Sequence, residues 1–304
     1  MQSGTKIQNK RKKAEKNIPT SIVLVFDPDF KHILMVKRVK NYFGFDWGYI
    51  AGKSDKGETA HETASREMWE EIGIRQYPQH IHSLSEYGIK SPPDPFTIFI
   101  TSIPKEIPLT IKVDEIKEAK WFPIHNLPES RPMSEDAVIQ SIISVVKSIL
   151  LLPYRQNVQF WCYRKDGKIL LLDESTTDEV YWKFPQGGIE SNETHEKAIT
   201  RELEEELNIK TFQILSKAKY INRYNWPPTL LVKGFRGQEQ HIYLVYLPHP
   251  KEVKPNKKEG IRQAKWMTFH EAISHFLIPN QKLAADRIWK EFEPIIKRVA
   301  KPLL

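Results

Sequence analysis

Three glutamates in the sequence RELEEE, which begins at residue 201, have a spacing that suits metal-assisted chemistry. Glu202, Glu205 and Glu206 fall at i, i+3 and i+4, so a helix would carry all three carboxylates on one face, where they repel one another. A hard divalent cation such as Mg²⁺, which prefers oxygen ligands, would relieve that repulsion. Gly187 and Gly188 precede this predicted helix and would let backbone approach a phosphate closely. The segment therefore predicts metal-assisted phosphate chemistry.

The same pattern occurs twice in the chain. The sequences GKSDKGE at residue 52 and REMWEEIGI at residue 66 return as related sequences at residues 187 and 201, and both offsets are 135 residues. The sequence Ala-Lys-Trp at residue 119 returns at residue 264. The first copy thus supplies a second set of carboxylates, Glu67, Glu70 and Glu71. The chain is a tandem duplication.

Length and charge agree with this organisation. A chain of 304 residues with 40% hydrophobic and 28% charged residues suits two soluble domains, which we expect at residues 18–153 and 154–304. Residues 1–17 contain six Lys or Arg against one Glu and so carry +5 of the net charge of +8. We expect this stretch to be a basic, disordered arm that attracts RNA nonspecifically or is only a solvated tail.

Composition also excludes several classes of protein. No apolar run reaches the roughly 18 residues of a membrane span, so no membrane contact is expected. Cys162 is the single cysteine, which excludes an intramolecular disulfide, a zinc finger and a cysteine redox pair. The sequence therefore favours a cytoplasmic location.

Each copy has the pattern of an α/β domain. Box helices are predicted at 60–72 and 195–207, each followed by a residue that tolerates a left-handed conformation, Gly73 or Asn208. Closing helices are predicted at 134–152, with Ser134 as its N-cap, and at 281–299. Strands are predicted at 21–26, 31–37, 96–103, 158–163, 168–172 and 241–247.

The repeated segment resembles the box of the Nudix hydrolases, G-x5-E-x7-R-E-U-x-E-E-x-G-U, in which U is a bulky aliphatic residue. The first copy matches every position, with Gly52, Glu58, Arg66, Glu67, Met68, Glu70, Glu71, Gly73 and Ile74. The second copy differs at one position, Asn208 in place of Gly. The resemblance implies two Nudix folds in tandem, each a mixed β-sheet sandwiched between helices.

The family also implies a reaction, the Mg²⁺- or Mn²⁺-dependent hydrolysis of a pyrophosphate bond in a nucleoside polyphosphate. The expected catalytic and metal-binding residues are Glu67, Glu70, Glu71, Glu202, Glu205 and Glu206. Arg66 and Arg201 are expected to pair with Glu58 and Glu193 rather than with substrate. The general base remains open between a box glutamate and a later acid, for which Asp114, Glu115 and Glu259 are candidates.

The second copy carries further signals about its substrate. Its sequences WKFPQGGI at residue 182, RYNWP at residue 223 and GQEQ at residue 237 resemble RNA pyrophosphohydrolases and dinucleoside polyphosphate hydrolases. We therefore expect a 5′-triphosphorylated RNA end or a dinucleoside polyphosphate as substrate, and the first copy as a second or accessory site. The expected substrate-binding residues are Lys183, Gly187, Gly188, Arg223, Tyr224, Gln238 and Gln240.

Two other functions stay open on this reasoning. The chain would also suit a Nudix enzyme that acts on ADP-ribose, on nucleotide sugars or in nucleotide-pool sanitation. A nucleotide- or RNA-sensing module that binds without turnover is the alternative outside enzymology. The sequence leaves the number of metal ions and the oligomeric state open.

Overall fold

The chain forms two compact units, residues 1–152 with 227–233, and residues 153–226 with 234–304. The computed structural model describes residues 18–40, 44–76, 80–91, 95–132, 134–174, 180, 182–226, 228–276 and 279–300. The predicted basic arm, residues 1–17, lies outside them.

The first unit is built around one mixed sheet. Its strands are β1 (Thr20–Phe26), β2 (His32–Arg38), β3 (Ile50–Lys53), β4 (His82–Ser83), β5 (Phe96–Ser102) and β6 (Ile116–Pro123), and its helices are α1 (Ala60–Ile72) and α2 (Asp136–Leu150). The strand order is β4-β5-β1-β2-β6, and β3 also pairs with β1. Strands β1 and β5 are parallel, whereas the other described pairs are antiparallel.

The second unit repeats this topology. Its strands are β7 (Tyr154–Tyr163), β8 (Ile169–Asp173), β9 (Trp182–Lys183), β10 (Gln186–Gly188), β11 (Gln213–Asn225), β12 (Gly237–Tyr246) and β13 (Gln263–Met267), and its helices are α3 (His195–Leu207), α4 (Phe269–Ser274) and α5 (Pro279–Ala300). The order β11-β12-β7-β8-β13 contains the parallel pair β7 and β12, with β10 on β7 and β9 on β8.

Strand alternation gives the second sheet two apolar faces. Phe160 and Cys162 pack with Leu203 of α3, whereas Trp161 packs with Phe292 of α5 on the opposite face. In the first unit, β1 and β2 likewise pack against α2 on one face, and α1 contacts β1 and β3. The predicted fold class, a mixed sheet between helices in each unit, is confirmed.

The box helices have the bounds that the sequence predicts, and Gly73 and Asn208 adopt left-handed conformations with φ of 70° and 55°. The N-cap prediction at the closing helix was wrong: α2 is preceded by Glu135. The hydroxyl of Ser134 donates to the carboxylate of Glu135 at 2.7 Å, and Glu135 itself makes no side-chain capping bond to the helix. The long strand β11 was not predicted.

None of the helices that the structure describes has both the length and the apolar composition of a membrane span.

Candidate active site

Threonine caps fix where each box helix begins, and hence where its carboxylates lie. The Thr59 hydroxyl accepts a hydrogen bond from the Glu62 backbone N–H at 3.3 Å, and the Glu62 carboxylate accepts one from the Thr59 backbone N–H at 2.8 Å. In the second unit, Thr194 accepts a bond from the Lys197 backbone N–H at 3.3 Å. With a left-handed residue at the other end, each helix is limited to 13 residues.

An arginine fork organises the box of the second unit. Arg201 donates to both carboxylate oxygens of Glu193 at 3.0 Å, to Glu202 at 2.7 Å, to Glu205 at 3.1 Å and to the Gly188 carbonyl at 2.8 Å. Its hydrogen bonds to Glu193 hold the pKa of that carboxyl below its usual range. One side chain thus ties the glycine turn to the helix.

The first unit contains the same fork. Arg66 donates to Glu58 at 2.9 and 3.1 Å, to Glu67 at 2.7 Å, to Glu70 at 3.1 Å and to the Lys53 carbonyl at 2.9 Å. These bonds lower the pKa of Glu58 to about 2. The structure thus shows the pairing of Arg66 and of Arg201 with a loop glutamate that the sequence predicted.

Two glycines leave room for a carboxylate of the box. A Cβ on Gly187 would lie 1.9 Å from Cδ of Glu202, and a Cβ on Gly52 would lie 1.8 Å from Oε1 of Glu67. The predicted close approach at Gly187 therefore involves the protein's own carboxylate. At Gly188 a Cβ would meet the Arg155 guanidinium at 2.2 Å.

Glu206 is a buried carboxylate of the second unit that has an oxygen available to a cation. Its side chain is 9% exposed, and among the described residues its buried Oε2 has no hydrogen-bond partner. Burial, and then the negative charges of Glu202, Glu174 and Glu259, raise its pKa to about 8, while the positive charge of Lys183 opposes the rise. Lys183 itself forms an ion pair with Glu174.

The equivalent carboxylate of the first unit, Glu71, has an internal partner. It is 1% exposed, and its Oε1 lies 2.6 Å from Nη2 of Arg38. Its buried Oε2, like that of Glu206, has no hydrogen-bond partner among the described residues. Burial raises its pKa to about 7, and the charge of Arg38 opposes that rise. A later acid, Glu115, also raises it, but Glu115 pairs with Lys112 at 2.7 Å.

The second unit suits a divalent cation better than the first. Among the described residues, Glu71 and Glu206 each have a buried carboxylate oxygen without a partner, but the other oxygen of Glu71 is paired with Arg38. Further acids surround Glu206, which gives the oxygen-rich and negatively charged environment that Mg²⁺ or Mn²⁺ prefers. Glu202, Glu205 and Glu206 would hold the ion, which would neutralise phosphate charge and lower the pKa of water. Among the described residues, no three His, Cys, Asp or Glu side chains are already grouped at metal-ligand spacing. Two of the three glutamates, Glu202 and Glu205, accept hydrogen bonds from Arg201.

The sheet of the second unit separates the predicted substrate residues. Asn222 and Tyr224 of β11 lie beside Gln240 and Gln238 of β12, so these four side chains share one face. Asn222 donates to Gln240 at 2.7 Å, and the hydroxyl of Tyr224 donates to Gln238. Arg223 lies on the opposite face, where it binds Glu239 at 2.6 Å. The predicted set is therefore not one cluster.

The polar side chains of Asn222, Tyr224, Gln238 and Gln240 form a row, here called the amide row, which continues into β10 and β7. Gln240 donates to the side chain of Gln186, and Asn157 lies between Gln240 and Gly188 in the sheet register. Asn157 is 2% exposed, and among the described residues its buried Oδ1 has no hydrogen-bond partner. The sequence reasoning missed Asn157 and Gln186, although alternating polar residues in RQNVQ at residue 155 signalled a polar face.

Lys183 lies near the box. It pairs with Leu172 in the sheet, and Leu172 packs in the cluster that contains the box helix. Lys183 therefore points to the same face as Glu206. Its ion-pair partner Glu174 was also missed, although an alignment of the two copies at residues 38 and 174 would have identified it.

The chain is similar to known proteins in both halves. Residues 16–141 and 153–290 each match the NUDIX domain. The chain is 28% identical over 172 residues to an RNA pyrophosphohydrolase of Bartonella henselae, with 51% of this chain and 99% of the relative covered. It is 31% identical over 149 residues to an RNA pyrophosphohydrolase of Zymomonas mobilis, with 46% and 96% covered. A solved C. elegans Ap4A hydrolase is 18% identical with a TM-score of 0.37, covering 46% of this chain and 98% of that one. The two domain matches together cover most of the sequence.

Proposed function

Because the chain belongs to the NUDIX family and is a pyrophosphohydrolase, we propose that its second unit hydrolyses a pyrophosphate bond in 5′-triphosphorylated RNA ends or dinucleoside polyphosphates. The observation that carries this proposal is the buried carboxylate of Glu206, whose Oε2 has no partner among the described residues and whose surroundings are acidic. Such a carboxylate suits a divalent cation, which would neutralise the charge of a polyphosphate.

The residues around Glu206 suit a long phosphate chain. Lys183 places an ammonium beside the box, and although it pairs with Glu174, it would also attract a phosphate as a point charge. Tyr224 and the amide row from Gln186 to Gln238 offer hydrogen-bonding groups and one aromatic ring to a nucleotide. Arg223 lies on the opposite face of the sheet from Tyr224, where it binds Glu239, so we do not assign it to the same phosphate group. The names of the curated relatives favour an RNA 5′ end, and the WKFPQGGI sequence is compatible with both substrates.

We assign the water-activating role to the carboxylates around Glu206. A general base must lie within hydrogen-bond reach of the water that it deprotonates, so an acid beside the metal-binding carboxylates is the suitable candidate. Glu259 is the later acid whose charge reaches Glu206. We propose that the first unit has an accessory role, because Arg38 already binds Glu71.

A substrate panel tests this function directly. The full chain is incubated with 5′-triphosphate RNA, diadenosine tetraphosphate, ADP-ribose and a nucleotide sugar, with and without Mg²⁺. We expect Mg²⁺-dependent products from one or both of the first two substrates. Products from ADP-ribose or the nucleotide sugar alone would move the assignment to another substrate class, and tight binding without any product would favour a sensing module.

Matched variants locate the activity within the chain. Glu206→Gln is expected to lower the rate by about 100-fold or more, the scale for removing one group that stabilises transition-state charge. Glu204→Gln is the control, because Glu204 is on the same helix but is exposed and pairs with Lys210 at 3.1 Å. Glu71→Gln is expected to cause a smaller loss. An equal loss from Glu204→Gln or from Glu71→Gln would contradict the assignment to the second unit.

A further inference from the structure

The two units carry opposite charges at one structurally equivalent position. Val36 of β2 and Leu172 of β8 each pair with the alanine of the repeated Ala-Lys-Trp sequence. Arg38 and Glu174 each lie two residues after these strand residues, so their positions are equivalent. The position lies outside the box. A cation in the first unit thus stands where the second unit has an anion.

Arg38 is anchored as a counter-ion to the first box. Its Nη2 lies 2.6 Å from Oε1 of Glu71 and also donates to the carbonyls of Tyr49 and Ala51 at 3.3 and 3.2 Å. The two carbonyls belong to the chain that enters and forms β3, so this segment and the box helix both hold the guanidinium. This charge-assisted bond joins a carboxylate that is 1% exposed to an arginine side chain that is 28% exposed.

The second unit reverses this arrangement. Glu174 forms an ion pair with Lys183. The position of Lys183 corresponds to Gly48 of the first unit, because Lys183 lies beside Leu172 in the sheet as Gly48 lies beside Val36. The lysine is thus bound by a residue that the first unit lacks. Among the described residues, Oε2 of the neighbouring Glu206 has no partner.

We propose that Arg38 takes the place of a divalent cation at Glu71, and that Glu174 keeps Glu206 available to such a cation by holding Lys183. A divalent cation at Glu71 would meet a carboxylate whose charge Arg38 already balances, since Oε1 pairs with Nη2 of Arg38 and, among the described residues, the buried Oε2 has no partner. The cation would have to displace Arg38 or bind beside its positive charge, and both are unfavourable. The first unit therefore binds divalent cations far more weakly than the second, although its box matches the family pattern more completely. This inference rests on the proposed metal-dependent role of the second unit and adds the residue that determines where the ion binds.

Manganese binding to the full chain, without substrate, tests this inference. Free Mn²⁺ is measured by electron paramagnetic resonance during a titration of the wild type, Glu71→Gln and Glu206→Gln. Glu206→Gln is expected to remove the tightest Mn²⁺ site, and Glu71→Gln is expected to leave it within about twofold, because Glu71 is already neutralised. A tight site that Glu71→Gln removes and Glu206→Gln preserves would overturn the inference.

A gain of binding is the sharper test. In the Glu206→Gln background, Arg38→Met is expected to raise the Mn²⁺ affinity of the first unit by about tenfold or more, because it removes a cation beside the carboxylate. Lys37→Met is the matched control. It deletes the same charge from the adjacent residue, whose nearest acid is Asp46 at 4.0 Å. Equal affinities in the two variants would overturn the inference.

Thermal unfolding shows whether the Arg38→Met variant folds. If it does not, the reciprocal change in the second unit tests the same inference. In the Glu71→Gln background, Glu174→Arg is expected to weaken the remaining Mn²⁺ site by about tenfold or more. Unchanged affinity would contradict the role given to Glu174. Equal Mn²⁺ binding by both units would contradict this inference but not the proposed hydrolysis. No Mn²⁺ binding by the wild type would overturn both.

Discussion

Replacing Gly187 by alanine isolates the geometry of the second box from its charge. The new Cβ would lie 1.9 Å from Cδ of Glu202, whereas ordinary contact begins at 3.4 Å, so that carboxylate must retreat by about 1.5 Å. Displacing a positioned group by about 1 Å can reduce the rate about 100-fold. The expected loss in transition-state stabilisation is therefore about 3 kcal/mol.

The same substitution is expected to affect folding only modestly. The group that must move is the end of a flexible side chain, and the main loss is its 2.7 Å bond to Arg201. A hydrogen bond between charged groups contributes about 1.5–3 kcal/mol, and alanine recovers about 0.4–1 kcal/mol by restricting the unfolded chain. The free energy of unfolding should therefore fall by about 1–2 kcal/mol, which leaves a typical domain folded.

Gly52→Ala provides a matched control in the same molecule. Its Cβ would lie 1.8 Å from Oε1 of Glu67, so the steric conflict and the expected loss of stability are alike. The assays are single-turnover hydrolysis of 5′-triphosphate RNA with Mg²⁺ and denaturant unfolding of both variants. Gly187→Ala should lose about 100-fold in rate and Gly52→Ala much less. Equal losses of rate, or full activity in Gly187→Ala, would refute the reasoning.

Two further predictions concern pH and the basic arm. Burial raises the pKa of Glu206 from 4.5 to about 8, so the metal-free folded protein holds this proton more tightly than the unfolded chain. Its contribution to stability is complete below about pH 4.5 and is lost as pH rises toward 8, by an amount on the order of a few kcal/mol. Denaturant unfolding in a chelator at pH 6 and 8 checks this, and a slope that Glu206→Gln does not flatten would contradict it. Deleting residues 1–17, which carry six Lys or Arg, should weaken RNA binding and flatten its dependence on salt, while hydrolysis of small nucleotides persists; an unchanged salt dependence would exclude the arm from RNA binding.

Local signals predicted the box helices well because their determinants are local. A left-handed residue ends each helix at Gly73 or Asn208, and the arginine forks involve glutamates at fixed sequence spacing. The face on which Arg223 lies could not be predicted from local signals. In the sequence it adjoins Tyr224, but β11 places neighbouring side chains on opposite faces. Since β11 was not predicted, that alternation could not be applied.

The roles of Arg38 and Glu174 could not be predicted from the sequence for a different reason. Both residues are visible in the aligned copies, and neither belongs to the box pattern. Their effect depends on which face of the sheet the strand end presents to the box helix, and this follows only from the pairing of β2 with β6 and of β8 with β13. A motif records which carboxylates are present, but not whether another strand supplies them with a counter-ion. Two copies of one box can therefore differ in function while every glutamate is retained.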